Sequence, residues 1–79
     1  MIVKVREKHS KTERTREIVY SGITKYLIEV GILSLYKEND ITPLNGIEIN
    51  SQSDSSDGEW KVVEIWIMND QGQTIEKIK

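Results

Sequence analysis

Apolar residues between positions 15 and 37 fit two different periods. At the helical period of about 3.6 residues they form one stripe, made of Val19, Tyr20, Ile23, Tyr26, Leu27 and Val30. Thr15 is a suitable N-cap for such a helix, and Gly31 lies where a glycine would end it. This pattern predicts a helix over about residues 16–30, and with it an α+β fold.

At a period of two, the same segment forms two strands. Tyr26, Ile28 and Val30 share one face of the first strand, and apolar residues occupy both faces of the second. Gly31, between them, can supply the positive φ that a tight turn demands. This interpretation predicts a hairpin over residues 25–37 that turns at Gly31. Four of its side chains are expected to be buried: Tyr26, Ile28, Leu33 and Leu35.

Composition favours the strands. The chain holds twelve Ile and six Val but only four Leu and no Ala. Branching at Cβ restricts side chains in a helix and packs well on a pleated surface. In the helical alternative, Ile18 and Ile28 would also project from the polar side, and Gly22 would interrupt the middle.

The remaining segments also alternate in the manner of strands. They are residues 2–8, 16–22, 45–50, 60–68 and 74–79, and Asn45–Gly46 is a turn signal at the start of the third. Residues 60–68, apolar on both faces, predict a central strand with Trp60 and Trp66 on the same side, in the core. The Ser- and Asp-rich residues 50–59 predict a flexible loop. Together these features predict one all-β domain over residues 1–79, with six or seven short antiparallel strands as a meander, a small barrel or a two-layer sheet.

The middle third of the chain contains a pattern of core and turn residues. Its members are Tyr26, Ile28, Gly31, Leu33, Leu35, Tyr36, Pro43, Leu44, Ile47 and Ile49. In this pattern the chain resembles small β-rich proteins of unknown function from bacteria and phages. The resemblance implies a β-rich fold and carries no functional residue across.

Positive charge is concentrated at the start of the chain. Residues 1–16 have a net charge of +4 and the remainder −6, giving −2 overall. Six cations are therefore candidate contacts for an anion: Lys4, Arg6, Lys8, Lys11, Arg14 and Arg16. The alternative is a solvated hairpin whose charges protect an edge strand from aggregation, and this is the interpretation we favour.

The side chains offer little for catalysis or metal binding. There is no cysteine and one histidine, His9, which we expect to be an exposed turn residue. Asp54, Asp57 and Glu59 lack the spacing of a calcium-binding loop, and the five glycines are scattered singly. The sequence thus predicts no catalytic, cofactor or metal site and no enzymatic activity.

Two functions remain. The first is a small non-catalytic module that binds another protein, because small β domains often present an edge strand or a sheet face to a partner. The alternative is a nucleic-acid-binding protein that uses the basic N-terminal segment together with aromatics of the sheet. Charges within the first eight residues argue against a signal peptide, and no apolar window approaches the ~18 residues of a membrane span. We therefore expect a cytoplasmic protein without membrane contact.

Overall fold

The computed structural model describes residues 1–38, 43 and 46–79. These residues form seven strands and no helix: β1 (Ile2–His9), β2 (Thr15–Tyr20), β3 (Ile23–Glu29), β4 (Ile32–Lys37), β5 (Gly46–Glu48), β6 (Trp60–Met68) and β7 (Thr74–Lys77). The all-β prediction is confirmed, and the helix over residues 16–30 is wrong, because β2 and β3 occupy that segment. Leu44 of the middle-third pattern and Asn45 of the predicted turn lie outside the described residues. No helix in the described part is long and apolar enough to cross a membrane.

The strands form two antiparallel sheets that are not closed into a barrel. One sheet has the order β2-β1-β6-β7 and the other the order β3-β4-β5. Only the second is a simple meander, since β1 pairs with β6 across most of the chain length. Of the three predicted arrangements, the two-layer sheet is therefore the one observed.

The core lies between the sheets, and the described residues buried in it are all aliphatic. Its buried members are Val3, Val5, Ile23, Leu33, Leu35, Ile47, Ile65 and Ile67. Met1 and Ile23 join the two sheets at one corner: the amino group of Met1 donates to Ile23 O at 2.7 Å, and Ile23 N donates to Met1 O at 3.0 Å. We call the face of each sheet that meets the core its inner face.

The hairpin of β3 and β4 turns as predicted at Gly31. Val30 and Gly31 both have positive φ, 52° and 71°, as in a two-residue type I′ turn. Leu33 and Leu35 are fully buried as predicted, whereas Tyr26 is only half-buried. The predicted burial of Ile28 is wrong, because 45% of it is exposed. Ile28 belongs to an edge strand, so a neighbouring strand covers it on one side only.

A β-bulge interrupts the central strand β6. The pairing of β1 with β6 shifts from Arg6–Glu64 to Glu7–Val62, which leaves Val63 as an extra residue. Side chains of a strand alternate between its two faces, so the extra residue shifts this alternation by one position. Side chains two residues apart across the bulge therefore point to opposite faces of the sheet.

The bulge separates the two tryptophans. Ile65 and Ile67 point into the core, as expected of a central strand, and Trp66 between them lies on the outer face. On the other side of the bulge, Trp60 is on the inner face with Val62. The prediction that Trp60 and Trp66 share one side in the core is therefore wrong, and both are half-buried.

Candidate interaction surfaces

The end of the β3–β4 hairpin exposes four large apolar residues. We call this group the apolar tip: Leu27, Ile28, Val30 and Ile32. Val30 is 97% exposed, and each of the other three is at least 38% exposed. Clustered exposed apolar residues commonly mark an interaction site, whereas single ones need no explanation.

Val30 is also held in an unfavourable backbone conformation. Its φ of 52° lies in the left-handed region, which β-branched residues rarely adopt. Asparagine or glycine is the usual residue at this position of a type I′ turn. Neither the exposure of the Val30 side chain nor its backbone conformation contributes to the stability of the isolated fold.

The outer edge of β3 has unused pairing capacity. Among the described residues, no strand pairs with this edge beyond Ile23, since the sheet order is β3-β4-β5. Lys25 and Glu29 flank Leu27 on the outer face of β3, and neither has an ion-pair partner in the described part of the chain. The Lys25 ammonium lies 4.6 Å from the ring centroid of Tyr36. This edge therefore offers free backbone groups and two opposite charges.

A second surface is the outer face of the four-stranded sheet, centred on Trp66. Lys4 Nζ lies 4.6 Å from the Trp66 ring centroid, Arg6 Cζ 5.0 Å and Lys77 Nζ 5.6 Å. Cations at these distances are attracted by the electron-rich face of the ring. The folded chain thus brings N-terminal cations and one aromatic residue onto the same sheet face.

Two carboxylates partly neutralise this face. Arg6 forms ion pairs of 2.7 Å with Glu17 and with Glu64, and Lys77 lies 3.1 Å from Glu64. The hydrogen bond from Lys77, together with the charges of Lys77 and Arg6, lowers the pKa of Glu64, and the hydrogen bond to Glu17 raises the pKa of Arg6. Strand alternation also places Lys8 and Lys61 on this face, directly opposite each other. Its described charges are five cations and two carboxylates, and we call it the basic face.

The six cations of the N-terminal segment do not form one cluster. Lys4, Arg6 and Lys8 lie on the basic face, while Lys11 and Arg14 belong to the β1–β2 connection. Arg16 lies on the opposite, inner face of the sheet.

On that inner face, Arg16 has partners within the chain. Its guanidinium forms a 2.7 Å ion pair with Glu7, and its Cζ lies 4.1 Å from the ring centroid of Trp60. Arg16 therefore lacks a free charge for a phosphate.

A cleft of about 450 Å³ opens between the sheets beside β5. Its lining includes three carboxylates and two aromatics: Glu7, Glu48, Glu59, Tyr20 and Trp60. The polar groups mostly bind each other, as Glu7 pairs with Arg16 and Ser53 donates a 3.0 Å hydrogen bond to Glu59. The described residues make the cleft acidic and open, and among them no arrangement selects a nucleophile and its base.

His9 is not the exposed turn residue that the sequence suggested. It ends β1, is half-buried and packs edge-on against Trp60 with ring centroids 5.3 Å apart. Its Nδ1 accepts hydrogen bonds of 3.2 Å from the backbone N–H groups of Lys11 and Thr12. His9 thus organises the β1–β2 turn.

The segment 50–59, predicted as a flexible loop, is bonded to the same turn. Ser10 Oγ donates to Asp54 at 2.9 Å and accepts from the Glu59 amide at 3.0 Å, and the Ser10 amide donates to Glu59 O at 2.9 Å. The hydrogen bond from Ser10 lowers the pKa of Asp54. The hydrogen bonds of Ser10 thus fix the loop against the first hairpin.

In residues 1–38, 43 and 46–79, no three acidic or histidine side chains are grouped as metal ligands would be.

Sequence reasoning missed the apolar tip, although a signal for it was present. The second strand of the hairpin has apolar residues on both faces, which suggested burial on both sides. In a two-layer fold only one face of each sheet meets the core, so Ile32 and Leu27 on the other face remain exposed. A valine before the turn glycine, where asparagine is usual, was a second signal.

Comparison of the chain with family models, curated proteins and solved structures gave no match. What the protein binds is therefore inferred from its own surfaces.

Proposed function

We propose that this chain is a small, non-catalytic binding module that acts in the cytoplasm by contacting another protein through its apolar tip. One observation carries the proposal: Val30 is almost fully exposed and has a φ of 52°. Strained residues persist where the surrounding structure enforces them, and they concentrate at functional sites.

The surroundings of the tip suit a protein partner. Its apolar residues are bordered by the charged residues Lys25, Glu29 and Glu48, the last of which pairs with Ile32 across the strands. An apolar centre with a polar rim is the usual anatomy of a protein–protein interface. The free edge of β3 can add main-chain hydrogen bonds to a partner strand.

The experiment compares two asparagine substitutions at exposed valines. Val30→Asn removes the apolar side chain at the tip and suits the turn, so the variant should fold at least as well as the wild type. Val19→Asn is the matched control, because Val19 is 59% exposed on β2, in the other sheet. Tagged proteins are used to capture partners from cells that express the chain.

A specific partner should be retained by the wild type and by Val19→Asn and lost by Val30→Asn. Loss of an apolar anchor at the centre of a contact weakens it by about 2 kcal/mol or more, which raises the dissociation constant by about 30-fold or more. Equal capture by all three proteins would refute the assignment of the tip.

The basic face supports a second candidate, binding of single-stranded nucleic acid. The specific observation is that two lysines, Lys8 on β1 and Lys61 on β6, lie directly opposite each other in the sheet. Like charges directly opposite are unfavourable, and a bound phosphate would relieve them. It ranks second because Arg6 and Lys77 already pair with Glu64.

Anisotropy titration with a labelled oligonucleotide distinguishes this candidate. A dissociation constant tighter than about 1 μM at physiological salt would favour it, since non-specific binding is usually weaker. Replacing both Lys8 and Lys61 with Ala should then lower the salt slope by about one unit per lost phosphate contact. Lys25→Ala, on the other sheet, is the control.

A further inference from the structure

We propose that the partner of the apolar tip is a second copy of this chain. In this dimer the β3 strands of the two subunits pair antiparallel about a two-fold axis at Leu27. The proposal rests on the proposed function and deepens it, because it commits the β3 edge to one occupant.

The hydrogen-bonding pattern of the hairpin permits this pairing. Glu29 and Ile32 close the two-residue turn, so they form a hydrogen-bonded pair, and such pairs alternate along the ladder. Tyr26 and Ile28 are therefore non-hydrogen-bonded positions toward β4, and their N–H and C=O groups point to the free edge. A two-fold axis at Leu27 sets Tyr26 opposite the partner's Ile28, and both residues present outward groups.

Charge selects this register among those that the backbone allows. With Leu27 opposite itself, Lys25 lies opposite the partner's Glu29, and the symmetry repeats that pair on the other side of the axis. Lys25 and Glu29 have no ion-pair partner within the described residues, so the dimer would supply one for each. Moving the axis by one residue to Tyr26 would set Lys25 against an apolar side chain and lose both pairs.

The two edges of the four-stranded sheet are less suited to such pairing. On β2, Arg16 and Glu17 are already ion-paired to β1 at 2.7 Å. On β7, Glu76 accepts a 2.6 Å hydrogen bond from a β3 tyrosine, and Lys77 is paired to β6. Their charges are used within the chain, whereas those of β3 are available.

The dimer would also cover much of the apolar tip. Leu27 would contact the partner's Leu27 on the outer face, beside Ile32, and Ile28 would gain a neighbouring strand on its open side. The two three-stranded sheets would join into one six-stranded sheet through an isologous interface that closes on itself.

Charge exchange tests the register directly. Lys25→Glu alone places two carboxylates opposite each other across the axis, and Glu29→Lys alone places two ammonium groups there. An equimolar mixture of these two variants restores opposite-charge pairing at both symmetry-related pairs of the heterodimer. Lys37→Glu makes the same charge change at the far end of the hairpin and serves as the control.

Sedimentation equilibrium from about 1 μM to about 1 mM covers the range in which weak dimers assemble. The wild type and Lys37→Glu should move from 9.1 kDa to twice that mass with rising concentration. Each single variant at the interface should dimerise at least about tenfold more weakly, and their mixture should recover most of that loss. Circular dichroism of each variant verifies that it is folded.

The outcomes separate this inference from the proposed function. A wild type that stays monomeric throughout, while Val30→Asn still abolishes capture of a different protein, would overturn the dimer and leave the function intact. A dimer that is indifferent to both charge changes, or a mixture that fails to recover, would overturn the register. A monomeric wild type whose capture of partners Val30→Asn does not alter would overturn both proposals.

Discussion

Replacing Val30 with Asn should stabilise the monomer. A non-glycine residue in the left-handed region carries a conformational penalty of about 1–2 kcal/mol, and asparagine tolerates this region far better than a β-branched residue does. Because Val30 is 97% exposed, its loss removes almost no buried apolar area. The net gain should be about 1 kcal/mol, which corresponds to a rise in Tm of about 4–8 °C for a domain of this size.

Thermal unfolding followed by circular dichroism at about 10 μM measures this effect where a weak dimer is dissociated. Urea unfolding at a fixed temperature gives the free energy of unfolding by a second method. Val19→Asn is again the control, and it should lower stability by up to about 1 kcal/mol, because asparagine is unfavourable within a strand. A Val30→Asn variant no more stable than the wild type would show that the turn imposes no strain on valine.

Three further predictions test the fold and its charges. Gly58→Ala should lower the free energy of unfolding in urea by about 1–3 kcal/mol more than Gly72→Ala does. The two glycines have φ of 84° and 83°, but only at Gly58 would a Cβ lie 2.5 Å from side-chain atoms. Equal losses of stability would exclude a steric contribution at Gly58. Ile65→Ala should lower the free energy of unfolding by ~2–5 kcal/mol and Val63→Ala by clearly less, because Ile65 is fully buried and Val63 is the exposed bulge residue. Comparable urea midpoints of the two variants would contradict the assignment of Ile65 to the core. The pKa of Glu64 is lowered in the folded state, so its ionised form stabilises the fold above the unfolded pKa of about 4.3, and this stabilisation is lost as pH falls through the lower folded pKa. The wild type should therefore exceed Glu64→Gln in free energy of unfolding at neutral pH by more than it does in acid. A difference that stays constant from neutral to acidic pH would disprove this.

The sequence pattern predicted those elements whose partners lie nearby in the chain. The β3–β4 hairpin follows from a glycine between two alternating segments, and its buried residues Leu33 and Leu35 were identified correctly. The strand assignment itself required composition, because the local pattern of residues 15–30 fits a helix nearly as well. The stripe at the helical period was in this case produced by two consecutive strands, β2 and β3, which belong to different sheets, and by Val30 in the turn after β3.

Features that depend on distant pairing were not predictable. The bulge at Val63 exists because of the register between β1 and β6, which are far apart in the chain, so the separation of Trp60 from Trp66 could not be seen in either segment alone. The six N-terminal cations are close in sequence, yet strand alternation and the turn distribute them over different surfaces. Ile28 illustrates a third limit, because an alternating pattern does not show how much of an edge strand the opposite sheet covers.

The bulge at Val63 also equips the protein with two separate optical reporters. The chain has two tryptophans, and the extra residue places Trp60 beside the acidic cleft and Trp66 on the basic face. With Trp66→Phe the remaining emission reports on the cleft, and with Trp60→Phe it reports on the cations around the indole of Trp66. Neither indole lies on the β3–β4 hairpin, so pairing of two β3 edges leaves both emission spectra unchanged. A polyanion bound to the basic face would alter the emission of Trp66 alone, which distinguishes this mode of association from β3 pairing without a label.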